Sequence, residues 1–318
     1  MKSFYAKKLG NGCSWLGLIT LLVGLVFAFG SATPSHAQAL GWEGETGVFV
    51  TPLAYTASSE TEKFHPVLAY HFLSAGPVIG DFNEASIELG IGKRIEIGYT
   101  HEFHSFGDNA DLSYLWQNGM EIFNGKVNLI TENAFKTKWV PAISAGFIAR
   151  TGVRNVGDYQ AASAGMNPTS SGHTNGDIYL VASKVVPTKL IPIVLSAGVR
   201  GTDAELWGMG GSAPDWQARA FAAVAFVFKL PGKSTLTLAS EASQQPHHPY
   251  GFDGTNGTLA LNIPTTLTYA ARFVPTLKYK LNFDLGVAQI AGQVYGSGIT
   301  GINLQARHQI GVQVSYGF

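Results

Sequence analysis

The chain has 318 residues, of which 46% are hydrophobic and only 13% are charged, and it carries 21 basic and 21 acidic side chains. About 25% of the residues of a typical soluble protein are charged, so this composition argues against an ordinary soluble domain. The balanced charge also argues against nucleic-acid binding, which needs a concentrated basic face.

The N-terminus has the three parts of a secretory signal. Lys2, Lys7 and Lys8 precede an apolar run over residues 15–29, and Ala37-Gln38-Ala39 supplies the small residues of a cleavage site. We therefore predict that residues 1–39 are a signal peptide cleaved after Ala39, with an uncleaved anchor as the alternative. Cleavage removes Cys13, the only cysteine, and leaves 18 basic side chains against 21 acidic ones.

The mature chain begins with a segment, residues 40–64, that fits three roles. It is a periplasmic strap, a plug inserted in a barrel, or a first strand. Its run Gly47–Ala54 resembles repeats in barrels associated with exopolysaccharide export. That resemblance is confined to the run, and it implies polymer export as one alternative function.

Five tight turns recur beyond this segment at intervals of roughly two membrane-crossing strands plus a loop. They are Gly92-Lys93, Lys136-Thr137-Lys138, Pro187-Thr188-Lys189, Pro231-Gly232-Lys233 and Val274-Pro275-Thr276. Longer segments rich in Gly, Ser, Asn and Pro lie between them, near 104–113, 152–176, 202–215, 244–263 and 288–306. Short turns at one end and long loops at the other are typical of a membrane barrel, whose short turns face the periplasm.

The residues around these turns alternate between apolar and polar, as strands between lipid and water do. Ile95, Ile97 and Tyr99 alternate with polar or small residues, and so do Leu267, Tyr269, Ala271 and Phe273 before the last turn. The stretch 221–228 is apolar on both faces, and its phase cannot be assigned from the sequence. No uninterrupted apolar run of about 20 residues follows the signal, so helical spans are not expected.

The turns define ten strands, the C-terminus adds an eleventh, and an even total requires one initial strand. Residues 66–72 and 47–55 compete for that place. We predict an all-β fold, a transmembrane antiparallel up-and-down β-barrel over residues 65–318 with about 12 strands, in a range of roughly 10 to 14.

The C-terminal residues give the clearest pattern. Ile310, Val312, Val314, Tyr316 and Phe318 fall on one face of a strand, and small or polar residues fall on the other. This strand resembles the closing strand of bacterial outer-membrane β-barrels. The resemblance implies a Gram-negative outer-membrane location, contact with outer-membrane lipid, and recognition of Tyr316 and Phe318 by the barrel-assembly machinery.

The strand phasing points a set of charged side chains into the lumen. The candidates for lining it are Glu96, Arg150, Arg200, Arg219, Glu241, Arg272, Lys278, Lys280 and Asp284. These residues line a narrow passage for small polar solutes, or they pair with one another and fill the interior. Gly98, Gly146, Gly198 and Gly286 on the same face favour the passage, and the mixed signs predict weak ion selectivity.

Three other functions are alternatives to the narrow passage. In an outer-membrane phospholipase a serine is expected two residues after the histidine, but Asn175 occupies that position after His173. His101 and His104 are expected at the membrane interface or in a loop rather than in a catalytic site. His247 with His248 lacks further ligands for a metal, and no cofactor is expected. A structural, receptor or polymer-export barrel without conductance remains an alternative, with Trp116, Trp207 and Tyr250 as candidates for adhesion.

Overall fold

The computed structural model describes most of the chain beyond the predicted signal peptide. The described residues are 40–57, 64–77, 80–108, 116, 118–152, 174–252, 258–262, 265–275, 281–290, 293–296, 299–303 and 307–317. The predicted signal, Lys278, Lys280, His173 and Phe318 lie outside them. In this part of the chain, no helix is both long and apolar enough to traverse a bilayer.

Sixteen strands make up the described fold. They are β1 (His65–Ser74), β2 (Gly80–Ile91), β3 (Ile95–Phe106), β4 (Met120–Ile130), β5 (Ala142–Thr151), β6 (Thr174–Val186), β7 (Ile193–Glu205), β8 (Gly211–Lys229), β9 (Thr235–Gln244), β10 (His247–Phe252), β11 (Thr258–Asn262), β12 (Thr265–Val274), β13 (Leu281–Ile290), β14 (Gln293–Gly296), β15 (Ile299–Asn303) and β16 (Arg307–Gly317). Three short 3-10 turns lie at Ala134–Lys136, Leu206–Gly208 and Pro231–Lys233.

Twelve of these strands form a closed antiparallel barrel in the order β1-β16-β13-β12-β9-β8-β7-β6-β5-β4-β3-β2. The barrel closes because β1 pairs with both β2 and β16, with Val67 opposite Gly317 and Ser74 opposite Ile310. The predicted fold class and strand number are confirmed. The initial strand contains residues 66–72, and the competing assignment of residues 47–55 as a barrel strand is wrong.

The outward face of the barrel is apolar. On β16 the side chains of Ile310, Val312, Val314 and Tyr316 are each 42–44% exposed, while Gly311, Gln313 and Ser315 between them are buried. Water would not stabilise such a continuous apolar surface, but hydrocarbon does. The predicted phase of the C-terminal strand is therefore confirmed over the residues described.

The two ends of the barrel differ as predicted. Within the described ranges, the short-turn end is formed by residues 92–94, 131–141, 187–192 and 230–234, together with Pro275 after β12. The long connections lie at the opposite end, where β10, β11, β14 and β15 pair in a separate four-stranded sheet. These four strands belong to the connections β9–β12 and β13–β16, which span the loops predicted near 244–263 and 288–306.

Strand β8 resolves the stretch that has no clear phase in the sequence. Phe221, Ala223, Ala225 and Val227 are buried inside the barrel, whereas Phe226 is 40% exposed on the outside. Both faces are apolar because the inner face packs against another apolar segment rather than against water. That segment precedes the barrel in the chain.

Candidate functional site

Residues 40–57 lie inside the barrel, and all of them are buried. We call them the plug segment. Its backbone folds on itself through hydrogen bonds from Gly41 N to Glu45 O (2.7 Å), Val48 N to Thr51 O (2.9 Å) and Leu53 N to Thr46 O (3.0 Å). Gly44 has a φ of +91°, and a Cβ there would lie 2.4 Å from Thr100 Oγ1, so only glycine fits this turn.

One carboxylate of the barrel wall holds the central turn of the plug segment. Glu241 on β9 accepts hydrogen bonds from Phe49 N (2.9 Å), Val50 N (3.1 Å) and Thr51 N (3.0 Å). It also accepts one from the Thr51 hydroxyl at 2.6 Å. Three successive backbone N–H groups pointing at one oxygen-rich group form an anion-binding turn, here filled by a side chain of the same protein.

A second carboxylate holds the segment near the short-turn end. Glu96, the second residue of β3, accepts from Thr46 N (2.9 Å), Thr46 Oγ1 (2.7 Å) and Ala57 N (2.8 Å). Lys126 Nζ lies 2.7 Å from Glu96 and donates to Thr46 O at 2.8 Å. The last residue of the plug segment therefore sits beside the end of the barrel at which β1 begins.

An ionic network joins the other side of the plug segment to the wall. Arg150 on β5 binds both oxygens of Glu43, and its Nη2 lies 2.8 Å from Asp177 on β6. Arg200 Nη1 is 3.5 Å from the same Asp177 oxygen, and its Nη2 donates to Ser243 at 2.7 Å. Because these charges are almost fully buried, each of them depends on its partners to offset desolvation.

Arg272 links the wall to backbone carbonyls of the plug segment. Its guanidinium forms two 2.8 Å hydrogen bonds with Asp284 and donates to Leu40 O at 3.1 Å and Val48 O at 2.8 Å. Gln313 donates to the same Leu40 carbonyl at 2.9 Å. Carbonyls that form no bond within the segment are thus satisfied by the wall.

Apolar contacts also hold the plug segment against the barrel wall. Trp42, Val48, Phe49, Val50, Leu53 and Tyr55 share one buried cluster with wall residues that include Phe221 and Val227. The Phe49 ring occupies the space beside two wall glycines, where a Cβ on Gly286 or Gly311 would lie 2.4 Å or 2.7 Å from its Cζ. The glycines accommodate an aromatic ring of the plug segment.

The other inward glycines also have their space filled. A Cβ on Gly98, Gly146 or Gly198 would meet the carboxyl group of Glu88, the ring of Tyr179 or the ring of Phe221. In the sequence analysis these glycines favoured an open passage. In the structure, however, neighbouring side chains occupy the space beside each glycine. The described lumen is therefore closed at these positions.

The end with long connections is also folded inward. Trp207, in the β7–β8 connection, is 2% exposed, and Trp116 Nε1 donates to Met209 O in that connection at 2.8 Å. A Cβ on Gly208 would lie 2.3 Å from Arg150 Cδ, so this connection covers the ionic network. Trp116 and Trp207 therefore pack inside the molecule, and neither is available for adhesion.

Burial perturbs the carboxyl groups of the plug segment. Desolvation is the main reason why the pKa of Glu45 rises to about 8, and the nearby charge of Glu43 raises it further. Desolvation also raises the pKa of Glu43, although the Arg150 charge opposes the shift. The phenol of Tyr55, buried beside Glu132, has a raised pKa for the same first reason.

The structure places the predicted lumen residues as follows. Glu96, Arg150, Arg200, Glu241 and Asp284 are buried inside the barrel, while Arg219 and Arg272 are half-buried and donate to Gln245 O and to Asp284. Asp177 and Lys126 were not among the predicted lumen residues, although both occupy inward positions of their strands. Glu43 was also missed, because no alternation marks a residue that lies in the plug segment.

The residues considered for an enzyme or a metal site are placed as follows. Asn175, which stands where a phospholipase serine is expected, is buried and donates to Gly211 O at 3.3 Å. His101 Nδ1 lies 3.0 Å from Glu121, with both side chains partly exposed. Within the described ranges, no group of three or more His, Cys, Asp or Glu side chains is arranged to hold a metal ion.

Comparisons with known proteins identify no family. No protein-family model matches the chain, and no curated protein matches it. Among solved structures, it is similar to the KdgM porin, with 9% identity, a TM-score of 0.43, and coverage of 79% of this chain and 99% of the porin. The NanC porin gives 8%, 0.40, 80% and 99% in the same order.

The COG4313 outer membrane channel from Pseudomonas putida F1 is also similar, at 12% identity with a TM-score of 0.45, covering 91% of this chain and 100% of that one. The fold itself follows from the strand pairing. The closed barrel with its apolar outer face has the architecture of a transmembrane β-barrel.

Proposed function

We propose that the protein is a narrow outer-membrane channel for small polar solutes, and that the plug segment closes it in the described conformation. The observation that carries this proposal is the way in which the barrel wall holds the plug segment. Wall side chains of both charge signs hold a separate stretch of chain, mainly through its backbone groups. The lumen that accommodates these 18 residues is wide enough for a small solute once they move.

The wall would remain polar after such a movement. Glu96, Arg150, Glu241 and Arg272 each exchange a contact with the plug segment for water, and water is the natural partner of a charged inward face. Lys126 stays beside Glu96 and Asp284 stays beside Arg272, so the wall keeps part of its own pairing. Charges of both signs then favour weak ion selectivity.

A second candidate is a structural or polymer-export barrel without conductance. It is favoured by the complete burial of residues 40–57 and by the side chains that fill the glycine spaces. Under this alternative the plug segment is a permanent core. The two candidates differ in one physical property, whether the segment leaves the lumen.

A reversible tether tests the channel directly. Ala54 N donates to Ser183 Oγ at 2.8 Å, so these neighbouring positions are chosen for a cysteine pair between the plug segment and β6, and non-reducing mass analysis verifies that the disulfide forms. We expect liposomes containing the mature Ala54→Cys/Ser183→Cys protein to swell in small polar solutes when it is reduced. They should stop swelling when it is oxidised, and each single-cysteine variant should be insensitive to oxidation.

Equal swelling of oxidised and reduced liposomes would contradict the proposed role of the plug segment. No swelling in either state, or with the native protein, would favour the barrel without conductance. Gel mobility with and without boiling shows whether each sample is a folded barrel.

We also propose that the barrel-assembly machinery recognises the C-terminal strand through Tyr316 and Phe318. Tyr316 is 44% exposed on the lipid face, next to the end of the chain. Deletion of Phe318 should therefore lower the amount of heat-modifiable protein in outer-membrane fractions. Unchanged assembly of both the Phe318 deletion and Tyr316→Ala would contradict this role.

A further inference from the structure

The sequences of the connections at the two ends of the barrel differ in charge. The five short connections, residues 92–94, 131–141, 187–192, 230–234 and 275–280, contain eight Lys or Arg residues and one acidic residue, Glu132. The six connections at the other end contain four Asp residues and one Arg. This asymmetry is not a general solubility feature, since such a feature would place charge at both ends.

The lysines of the short turns face outward from the molecule. Each of the four described short connections presents at least one exposed lysine. We define the short-turn rim by the exposed lysines Lys93, Lys136, Lys138, Lys189 and Lys233. Glu132, the acidic side chain of these connections, is bound to Lys184 Nζ at 2.8 Å and to Val185 N at 2.8 Å rather than to Lys136, Lys138, Lys189 or Lys233.

Large apolar side chains stand beside these lysines. Trp139 is 88% exposed, Phe135 is 81% exposed and Leu190 is 78% exposed. Trp139 follows Lys138 directly, Phe135 precedes Lys136, and Leu190 follows Lys189. Aromatic and aliphatic groups with adjacent ammonium groups suit the boundary between hydrocarbon and headgroups, where each part of the pair meets its preferred surroundings.

We propose that the short-turn rim binds anionic phospholipid headgroups in the periplasmic leaflet of the outer membrane. The lysine ammonium groups contact the phosphodiester charge, and Trp139, Phe135 and Leu190 insert among the upper acyl carbons. Short turns face the periplasm in this class of barrel, so the rim meets the phospholipid leaflet. Lipid binding at the short-turn rim does not depend on whether the lumen conducts.

Native mass spectrometry of the mature protein released from nanodiscs tests this proposal. The nanodiscs contain equal amounts of phosphatidylglycerol and phosphatidylcholine, and retained lipids are counted by mass. We expect phosphatidylglycerol to be retained about tenfold over phosphatidylcholine, given the attraction of five surface lysines for anionic lipid. Replacing all five with glutamine should abolish the preference.

Matched variants separate charge from folding and lipid from free phosphate. The five lysine-to-arginine substitutions keep the positive charge, so this variant should retain the preference of the native protein. Soluble glycerophosphoglycerol at the same concentration should not displace the bound lipid, because it lacks the acyl chains that the apolar side chains contact. Displacement by it would show a phosphate site rather than a lipid site, and would overturn the proposal.

Equal retention of the two lipids by the native protein would also overturn the proposal, as would an unchanged preference in the glutamine variant. Heat-modifiable gel mobility identifies any variant that has not folded, and the five single Lys→Gln variants then replace the combined one. Each should show a partial loss of preference, and five unchanged single variants would contradict the lipid contact.

Discussion

Single side chains decide how firmly the plug segment is held. Glu241 contributes the largest concentration of contacts, with three backbone N–H groups and one hydroxyl converging on its carboxylate. Charge-assisted hydrogen bonds of this kind are stronger than neutral ones. Glu96 plays the same part near the short-turn end, and Arg272 satisfies the carbonyl groups.

Glu241→Gln should loosen the plug segment without unfolding the barrel. The amide offers one acceptor oxygen where the carboxylate offers two, and we expect a loss of about 1.5–3 kcal/mol in plug binding. A maleimide should then label Ala54→Cys about 10–100 times faster in the mature, otherwise cysteine-free protein. Glu121→Gln is the control, because this partly exposed carboxylate of β4 binds His101 Nδ1 at 3.0 Å instead of the plug segment. Equal labelling of both variants would contradict the anchor role.

Gly286 and Phe49 should behave as a coupled pair. Gly286→Ala places a methyl group 2.4 Å from the Phe49 ring, so the plug segment must shift and labelling of Ala54→Cys must accelerate. Phe49→Ala removes the clash, and the double variant should show a coupling energy of about 0.5–3 kcal/mol. Gly201→Ala, whose new Cβ would lie 3.6 Å from Trp216, serves as the neutral control. Additive effects would rule out the packing described.

The plug segment should bind less tightly as pH rises. Glu45 has a pKa raised to about 8 by burial in the closed state, against an ordinary value of 4.5 when the segment is released. The closed state therefore holds the extra proton, and its advantage declines between about pH 5 and pH 9. Glu43 and Glu96 raise the pKa of Glu45 and Lys126 lowers it, and these three residues are present in both proteins to be compared.

Labelling of Ala54→Cys should thus rise more steeply with pH in the native background than with Glu45→Gln. The thiol itself ionises as pH increases, and this contribution is common to both proteins. Identical pH profiles would show that Glu45 does not titrate between the closed and released states.

At the scale of elements, alternation on the strands was readable from the sequence wherever the inner face meets polar groups. Strands β3, β12 and β16 show it, and the structure confirms their outward residues. Strand β8 could not be phased, because Phe221 and Val227 pack against a segment that belongs to no strand. The alternating pattern reflects a difference between the surroundings of the two faces of a strand, so it is absent where both faces have apolar surroundings.

The outward positions should be sensitive to charge according to depth. Leu285, near the middle of β13, is 42% exposed and lies between Val312 and Ala271 on neighbouring strands. Leu285→Arg should destabilise the barrel by about 2–4 kcal/mol, as measured by denaturant unfolding in lipid vesicles. Leu190→Arg, in a turn at the level of the lipid headgroups, should cost only about 0–1 kcal/mol. Equal effects would contradict the assigned membrane span.

At the scale of the molecule, the barrel followed from local signals and the plug did not. Turn spacing and the C-terminal pattern indicated 12 strands and the orientation of the ends. Arg150, Glu96 and Glu241 were candidates for lining the lumen, but their partners Glu43, Thr46 and Thr51 lie about 50 to 190 positions away in sequence. No local rule pairs such residues, so only the three-dimensional structure shows that residues 40–57 occupy the lumen.

Planar-bilayer recording of the mature protein with and without residues 40–57 tests the central claim most directly. We predict that the shortened protein, once shown to be heat-modifiable, gives steady conductance steps with weak ion selectivity, while the intact chain is closed most of the time. A folded but electrically silent shortened barrel, or identical conductance from both proteins, would contradict the claim that this segment plugs a channel.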